Sequence, residues 1–414
     1  MGNRILVVGT YDTKEDELTY LAQVIRAQGG QVITMDVSVL GDPKGPTDIS
    51  KHDVTAEAGS TIAAAIAHDN ENHAMQVMAT GAARLARRLH AEGRFDGVIV
   101  LGGSMGTDLA LDLCAALPLG VPKYVVSTVS FSPMIPPERL AADIQMILWA
   151  GGLYGLNSVC KASLSQAAGA VLGAARAVEV PTRTKPLIGM TSFGKTVLRY
   201  MVPLKPALVA RGFEVAVFHA TGMGGRAFEA LAAEGAFACV MDFAPQEVTN
   251  HLFGSAISAG PNRMTAAGLR GIPQMIAPGC YDLLDVVGWQ PPPERFRHQP
   301  AHAHNRLLSS YLTNAADRRE IARVICDKLA MATADVTLFL PNQGCNEWDR
   351  PGGPLSDPDA LAAFCDEMRS HVPGNVRLVE LDAHINDAAF AETVLQHFDE
   401  WLATGVVARP AVPH

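Results

Sequence analysis

Residues 187–196 read Leu-Ile-Gly-Met-Thr-Ser-Phe-Gly-Lys-Thr, and from Gly189 to Thr196 they satisfy the pattern G-x-x-x-x-G-K-[ST]. In a loop of that kind, glycines let backbone N–H groups close on phosphate oxygens. A lysine adds a point charge, and a hydroxyl can ligate Mg²⁺. The apolar run Pro186–Met190 before the pattern and the helix-permissive Thr196–Tyr200 after it suit such a loop. A metal-holding aspartate is also expected at the end of an apolar strand, and Asp242, after Phe237–Met241, is the nearby candidate. The pattern is short and the chain carries 37 glycines, so a plain glycine turn between strand and helix meets it equally well.

Three more loops carry suitable chemistry. Gly9-Thr-Tyr-Asp-Thr-Lys14 offers the backbone of Gly9, the hydroxyls of Thr10 and Thr13, the carboxylate of Asp12 and the charge of Lys14. It can hold phosphate or hydroxyl groups, or serve as a turn and helix cap. Gly102-Gly-Ser-Met-Gly-Thr107 has small residues at Gly102, Gly103, Ser104 and Gly106, with Thr107 behind them. A backbone this bare at a helix start admits an anion, which the helix dipole favours; tight packing of helix on strand is the other reading. The dinucleotide fingerprint G-x-G-x-x-G is absent. His219-Ala-Thr-Gly-Met-Gly-Gly-Arg226 combines Gly222, Gly224 and Gly225 with Arg226, which can clamp a carboxylate or phosphate with two parallel hydrogen bonds. His219, Asp242 and His384 are the candidate acid–base residues; His384 sits in Asp382-Ala-His-Ile-Asn-Asp387, whose Asn386 or Asp387 also suits a helix cap. His298, His302 and His304 crowd one loop, but Pro300 and their spacing do not fit a zinc-binding helix. No metal site is expected from them.

Strand and helix signals alternate around these loops. Strands are expected at Arg4–Val8, Gln31–Met35, Phe95–Leu101 and Tyr124–Ser127, with helices between them. Pro181–Pro186 is polar and proline-bearing, which places a domain boundary after residue 182. The same grammar then restarts, with strands at Leu187–Thr191, Glu214–His219, Ala238–Asp242, Gln274–Ala277, Val336–Leu340 and Val376–Leu381. Gly279–Asn305 is proline-rich and reads as a long irregular loop. The repeated β-loop-α pattern implies an α/β protein with two Rossmann-like, doubly wound parallel sheets and a cleft between domains 1–182 and 183–414.

Composition agrees with that class. The 414 residues are 48% hydrophobic and 18% charged, as compact α/β proteins with buried strands are. The net charge of −9 and the lack of a basic stripe disfavour nucleic acid as a partner. Seven dispersed cysteines without C-x-x-C read as reduced thiols of a cytoplasmic protein. Met1–Gly9 runs directly into a strand, so no signal peptide is expected, and no apolar run reaches membrane-spanning length.

Taken together, Gly9–Glu15, Leu101–Thr107, His219–Arg226, Gly271-Ile-Pro-Gln274 and His384–Asp387 resemble the UPF0261 family. That family includes the amino-terminal, ATP-binding half of the tomato Tm-1 resistance protein. The resemblance spans nearly the whole chain and implies two Rossmann-like units, an ATP site, with Mg²⁺ as a companion ion, and a homodimer. The nucleotide would meet Gly9–Lys14 and Gly102–Thr107, with Thr191, Ser192, Gly194 and Thr196, and Gly222–Arg226, contributing from the second domain. It also implies that Lys195 is a local variant completing the phosphate-loop pattern by accident. The sequence departs from the family at Pro278–Leu283 and Gln343–Trp348. The expected function is an ATP-binding metabolic enzyme acting on a small phosphorylated or carboxylated metabolite; the other reading is a non-catalytic, nucleotide-dependent protein-binding module.

Overall fold

A computed structural model describes residues 3–67, 70–152, 154–179, 184–194 and 197–410. Lys195 and Thr196 of the phosphate-loop pattern lie outside the described residues. The chain divides into two compact units, Met1–Pro181 and Thr182–His414.

In the first unit, β1 (Arg4–Gly9), β2 (Gln31–Asp36), β3 (Gly97–Gly102), β4 (Lys123–Ser127) and β5 (Ile144–Leu148) form one parallel sheet in the order β2-β1-β3-β4-β5. Parallel neighbours need crossovers, and the helices that provide them cover both faces. Ile5 and Val7 pack with the helices Tyr11–Ala27 and Ser158–Ala177; Leu6 and Val8 pack with Glu71–Ala91 and Ser104–Ala115. All four strand residues are fully buried, which is why β1 reads as an unbroken apolar run. Strand order reverses between β1 and β3. Ligands of doubly wound sheets gather outside the carboxyl ends of the strands at such a switch point.

The second unit repeats the plan. Strands β6 (Leu187–Ser192), β7 (Glu214–His219), β8 (Cys239–Asp242) and β9 (Gln274–Ile276) come first. After an insertion, β13 (Val336–Pro341) and β14 (Val376–Leu381) complete a parallel sheet ordered β14-β13-β9-β8-β6-β7. Its switch point lies between β6 and β8. The insertion holds β10 (Leu283–Val287), β11 (Ala301–Ala303) and β12 (Leu308–Leu312), an antiparallel sheet ordered β10-β12-β11.

Two expectations change. The region 279–305 is not one irregular loop, because its buried run Leu283–Val286 pairs with β12. The helix expected from Thr196 starts at Met201, and a bridge between Phe193 and Val197 precedes it. The strand β5 had no sequence expectation. Among the described residues, no helix is long and apolar enough to cross a membrane.

Candidate functional site

The helices that follow β1 and β3 flank the first switch point, and neither has a side-chain cap from its own N-cap residue, Thr10 or Gly103. The helix after β1 is nevertheless served from within. Asp36, at the end of β2, accepts from the Tyr11 N–H at 3.3 Å, and the Ser38 hydroxyl accepts from the Asp12 N–H at 3.0 Å. Thr10 and Thr13 pair hydroxyl to hydroxyl at 3.0 Å, and the Asp12 carboxylate accepts from Gly41 N–H at 2.9 Å. Lys14 Nζ stands 5.7 Å from the Trp149 ring centroid, and a Cβ on Gly9 would come within 2.8 Å of Leu18. Burial holds the Asp36 carboxyl above its usual range, opposed by its bonds to Ser38 and Tyr11. The leading N–H groups of the helix that begins within Gly9–Lys14 are therefore paired within the protein, while Asp12 Oδ1 and the Tyr11 hydroxyl are buried with no hydrogen-bond partner among the described residues.

The loop after β3 differs. Gly102 lets the helix Ser104–Ala115 close on its strand, since a Cβ there would sit 2.6 Å from Gly106 Cα. Thr107 donates to Gly103 O at 2.6 Å and lies 2.6 Å from the Ser127 hydroxyl, which locks the first turn onto the end of β4. Gly103 itself is open: a Cβ there would find its nearest neighbour, Thr128 Oγ1, 3.8 Å away. Among the described residues, nothing accepts from the N–H groups of Ser104, Met105 and Gly106. Ser104 is exposed beside them.

In the second unit, the glycine-lined helix start after the edge strand β7, beside the switch point, is filled by the protein itself. Gly222 and Gly225 N–H donate to Glu247 Oε1 at 2.5 and 3.1 Å. A Cβ on Gly225 would lie 1.9 Å from that carboxylate, and one on Gly224 would lie 1.8 Å from His219 O. The glycines Gly222, Gly224 and Gly225 thus cradle an anion, but the anion is the protein's own. Arg263, fully buried, balances it. Its Nε donates to Glu247 Oε2 at 2.7 Å, its Nη2 to Asp242 Oδ1 at 2.8 Å, and its Nη1 to Asp242 Oδ2 and, at 3.2 Å, to Glu229. Burial pushes the Glu247 carboxyl up to about 7, with Arg263 pulling the other way, and burial raises Glu229 too. Asp242 also accepts from Thr191 Oγ1 at 2.7 Å, so it is a structural counter-ion and not a free metal ligand. Ser192 Oγ donates to Val197 O at 2.9 Å. Neither Thr191 nor Ser192 presents its hydroxyl to a ligand.

The phosphate-loop pattern fails on geometry as well. Gly189 lies inside β6, paired with Ala216 and Val240, and a Cβ there would strike Phe237 at 2.8 Å. Its first glycine makes room for a ring in the core; no loop starts there. Gly194, at φ +49°, and His219 instead line a pocket of about 480 Å³ with Phe193, His302, His304 and Trp348. Arg226 is half-buried on the helix Met223–Ala233, whose amino terminus Glu247 already serves.

His384 is buried and engaged at both ring nitrogens. Nδ1 accepts from Asn386 N–H at 3.0 Å, and Nε2 lies 2.8 Å from Asp349 Oδ1 and 2.9 Å from Asn346 O. That pattern fixes one tautomer and ties the loop after β14 to the loop after β13, leaving no nitrogen for substrate. Sequence reading missed Glu247, Arg263, Glu229 and Trp348; no motif marks them, because their roles arise from contacts between distant segments. His298 is exposed and does not line the pocket that His302 and His304 border. Among the described residues, no three His, Cys, Asp or Glu side chains form a metal-ligand group. All seven cysteines are free and buried.

Comparison with known proteins agrees on lineage. Residues 3–180 match the Uncharacterised protein family (UPF0261) N-terminal domain, and residues 185–402 match its C-terminal domain. A UPF0261 protein of Brucella melitensis is 54% identical over 98% of this chain and 97% of its own length. One from Clostridium tetani is 35% identical over 94% and 97%. The ToMV resistance protein Tm-1 of Solanum lycopersicum is 30% identical over 96% of this chain, which spans only 55% of the tomato protein. Among solved structures, E. coli ADP-heptose LPS heptosyltransferase II aligns over 97% of this chain and 99% of its own at 11% identity and a TM-score of 0.22, a likeness too slight to argue from. With both domains matched in order and relatives aligned almost end to end, the chain belongs to the UPF0261 family.

Proposed function

We propose that this protein binds ATP through its first unit, with a phosphate group seated on the amino terminus of the helix Ser104–Ala115. One observation carries the reading. Among the described residues of that unit, the helices Lys51–Glu57, Ile62–Ile66, Glu71–Ala91 and Ser158–Ala177 are each capped by a side chain, and Tyr11–Ala27 is served by Asp36 and Ser38. The helix Ser104–Ala115 is the one of these α-helices in which, among the described residues, none of the leading N–H groups meets a side chain, and it stands at the switch point. Unpaired N–H groups and the positive end of the helix dipole together favour an anion. The kinship with Tm-1, whose amino-terminal half the sequence resembles as an ATP binder, supports ATP over a simple anion. The residues present suit a phosphate better than a dedicated metal cage, so Mg²⁺ would enter on the nucleotide's phosphates. Within this reading the protein is a cytoplasmic metabolic enzyme; the ligand-sized pocket lined by histidines in the second unit supports the enzymatic part.

The substitution Gly103→Asp separates the reading from mere helix capping. Gly103 has the extended backbone of an N-cap, at φ −75° and ψ −155°, and room for a side chain. An aspartate there would cap the helix and leave thermal stability equal or higher. The same carboxylate would repel a phosphate, so calorimetry should show ATP–Mg²⁺ affinity falling at least about tenfold, or about 1.4 kcal/mol. Unchanged affinity in a folded Gly103→Asp protein would place the nucleotide elsewhere.

A further inference from the structure

The antiparallel insertion lines up three polar side chains beside the histidine pocket. Register sets Asp285 opposite Ser310 and Ser310 opposite His302. Ser310 Oγ donates to Asp285 Oδ1 at 2.5 Å and lies 3.0 Å from His304 Nε2. Asp285 and Ser310 are fully buried, and Asn250 Nδ2 steadies the other Asp285 oxygen at 3.2 Å. A hydroxyl has one proton to give. Because Ser310 gives it to Asp285, its oxygen accepts from His304 Nε2–H. The Nδ1 of His304 then carries the lone pair, and among the described residues it has no hydrogen-bond partner.

That ring borders the pocket of about 480 Å³. His302 stacks on Trp348 with centroids 4.2 Å apart, and His304 meets Trp348 edge-on at 5.0 Å. Phe193 separates His304 from His219, at 5.8 and 5.7 Å. Among the described residues the lining holds no lysine or arginine, and Glu347, its one carboxylate, is already paired with Arg199 at 2.7 Å. Among the described residues such a lining offers no cation for a phosphate or carboxylate. It does present ring faces to C–H groups, and Asn305 and the histidines to hydroxyls.

We propose that this pocket is a general acid–base site for an uncharged polyhydroxy carbonyl compound, an unphosphorylated sugar, with His304 as the base. His304 Nδ1 takes the proton from the carbon beside the carbonyl. The C–H electron pair becomes the C=C bond of an enediolate, and the carbonyl oxygen, hydrogen-bonded by neutral His219, takes up the displaced pair. The proton on His304 Nδ1 trades with solvent; its return to the same carbon restores the carbonyl and leaves exchange, whereas its return to the former carbonyl carbon, with the proton of the adjacent hydroxyl passing to the enediolate oxygen, gives isomerisation. Ser310 and Asp285 are positioning residues: they fix the tautomer and stabilise the imidazolium that forms. Burial favours the neutral form of both His304 and His219, which suits a base and an uncharged donor.

The groups that bear on His304 are His302 on β11, Asp285 on β10 through Ser310, Glu347 after β13, and His219 on β7 beyond Phe193. The test needs neither ATP nor metal, so its failure would leave the nucleotide reading intact. D-glyceraldehyde, dihydroxyacetone, D-xylose and D-fructose are each incubated with the whole protein in D₂O and followed by proton NMR. The expected result is loss of the proton signal beside the carbonyl in at least one of them, faster than in buffer. His304→Gln should slow it at least a hundredfold. Asp285→Asn should slow it about tenfold and move the titration of the His304 ring proton to lower pH, a shift that a purely structural role would not produce. In the wild type that ring resonance should also move when the active sugar is added, which serves if a variant fails to fold. Exchange in none of the four sugars, or undiminished exchange in His304→Gln, would overturn the proposal.

Discussion

The two units share one winding plan and differ in what meets a glycine-lined helix start at the carboxyl end of the sheet. In the second unit, the glycine-lined helix start after β7 holds Glu247, and Arg263 knits that carboxylate to Asp242 and Glu229. In the first, the helix start after β3 keeps three N–H groups that meet no acceptor among the described residues. The same glycine grammar therefore has two outcomes. A glycine loop becomes a ligand site only where the fold sends no carboxylate of its own into it. Anion affinity should follow the open terminus and stability the filled one.

The largest effect is expected at Arg263. Replacing it with alanine leaves Glu247, Asp242 and Glu229 buried together without a cation, and stranding one side of a buried ion pair costs about 3–5 kcal/mol. Urea unfolding should show that loss, with ATP affinity per folded molecule preserved. A stability change under about 1 kcal/mol would mean that the network is not the keystone of the second unit.

Next comes the pH dependence contributed by Glu247, whose carboxyl rises from 4.5 to about 7 through burial. Between those values the folded protein keeps a proton that the unfolded chain releases. Stability from this group is therefore present at low pH, falls as pH rises through that window, and levels off above it. Glu247→Gln should remove this slope, so the stability curves of wild type and variant should converge or cross as pH rises, by up to about 3 kcal/mol across the window. Parallel curves would show that Glu247 does not hold a proton.

How much of this was legible depends on the kind of interaction. Strands buried on both faces, such as Ile5–Val8 and Leu338–Leu340, announce themselves as unbroken apolar runs. The edge strand β5 alternates partial burial with exposure and gave no such signal. Leu283–Val287 falls within a segment that reads as irregular through its prolines, yet its Asp285 is buried against Ser310 and Asn250. Glycine loops were visible by composition, but their occupants were not. Glu247 lies 22 residues from Gly225, and the contact exists only once β7 and β8 are aligned around β6. The cluster of His302 and His304 was visible, whereas its partners Ser310 and Trp348 come from other segments of the second unit.

The smallest effect is expected at Lys195. Since Gly189 is held inside β6, the phosphate-loop pattern is not expected to supply the main contact of the proposed nucleotide. Lys195→Ala should change ATP affinity by less than about tenfold, as one lysine contributes modestly. A hundredfold loss with folding intact would restore the pattern as a true phosphate loop.

The contrast between an open and a filled helix start is tested most directly by backbone amide NMR of the whole protein titrated with ATP and Mg²⁺. The amides of Ser104, Met105 and Gly106 should shift in proportion to saturation, while those of Gly222 and Gly225, already bonded to Glu247, stay in place. Shifts at Gly222 and Gly225 with none at Ser104–Gly106 would contradict it.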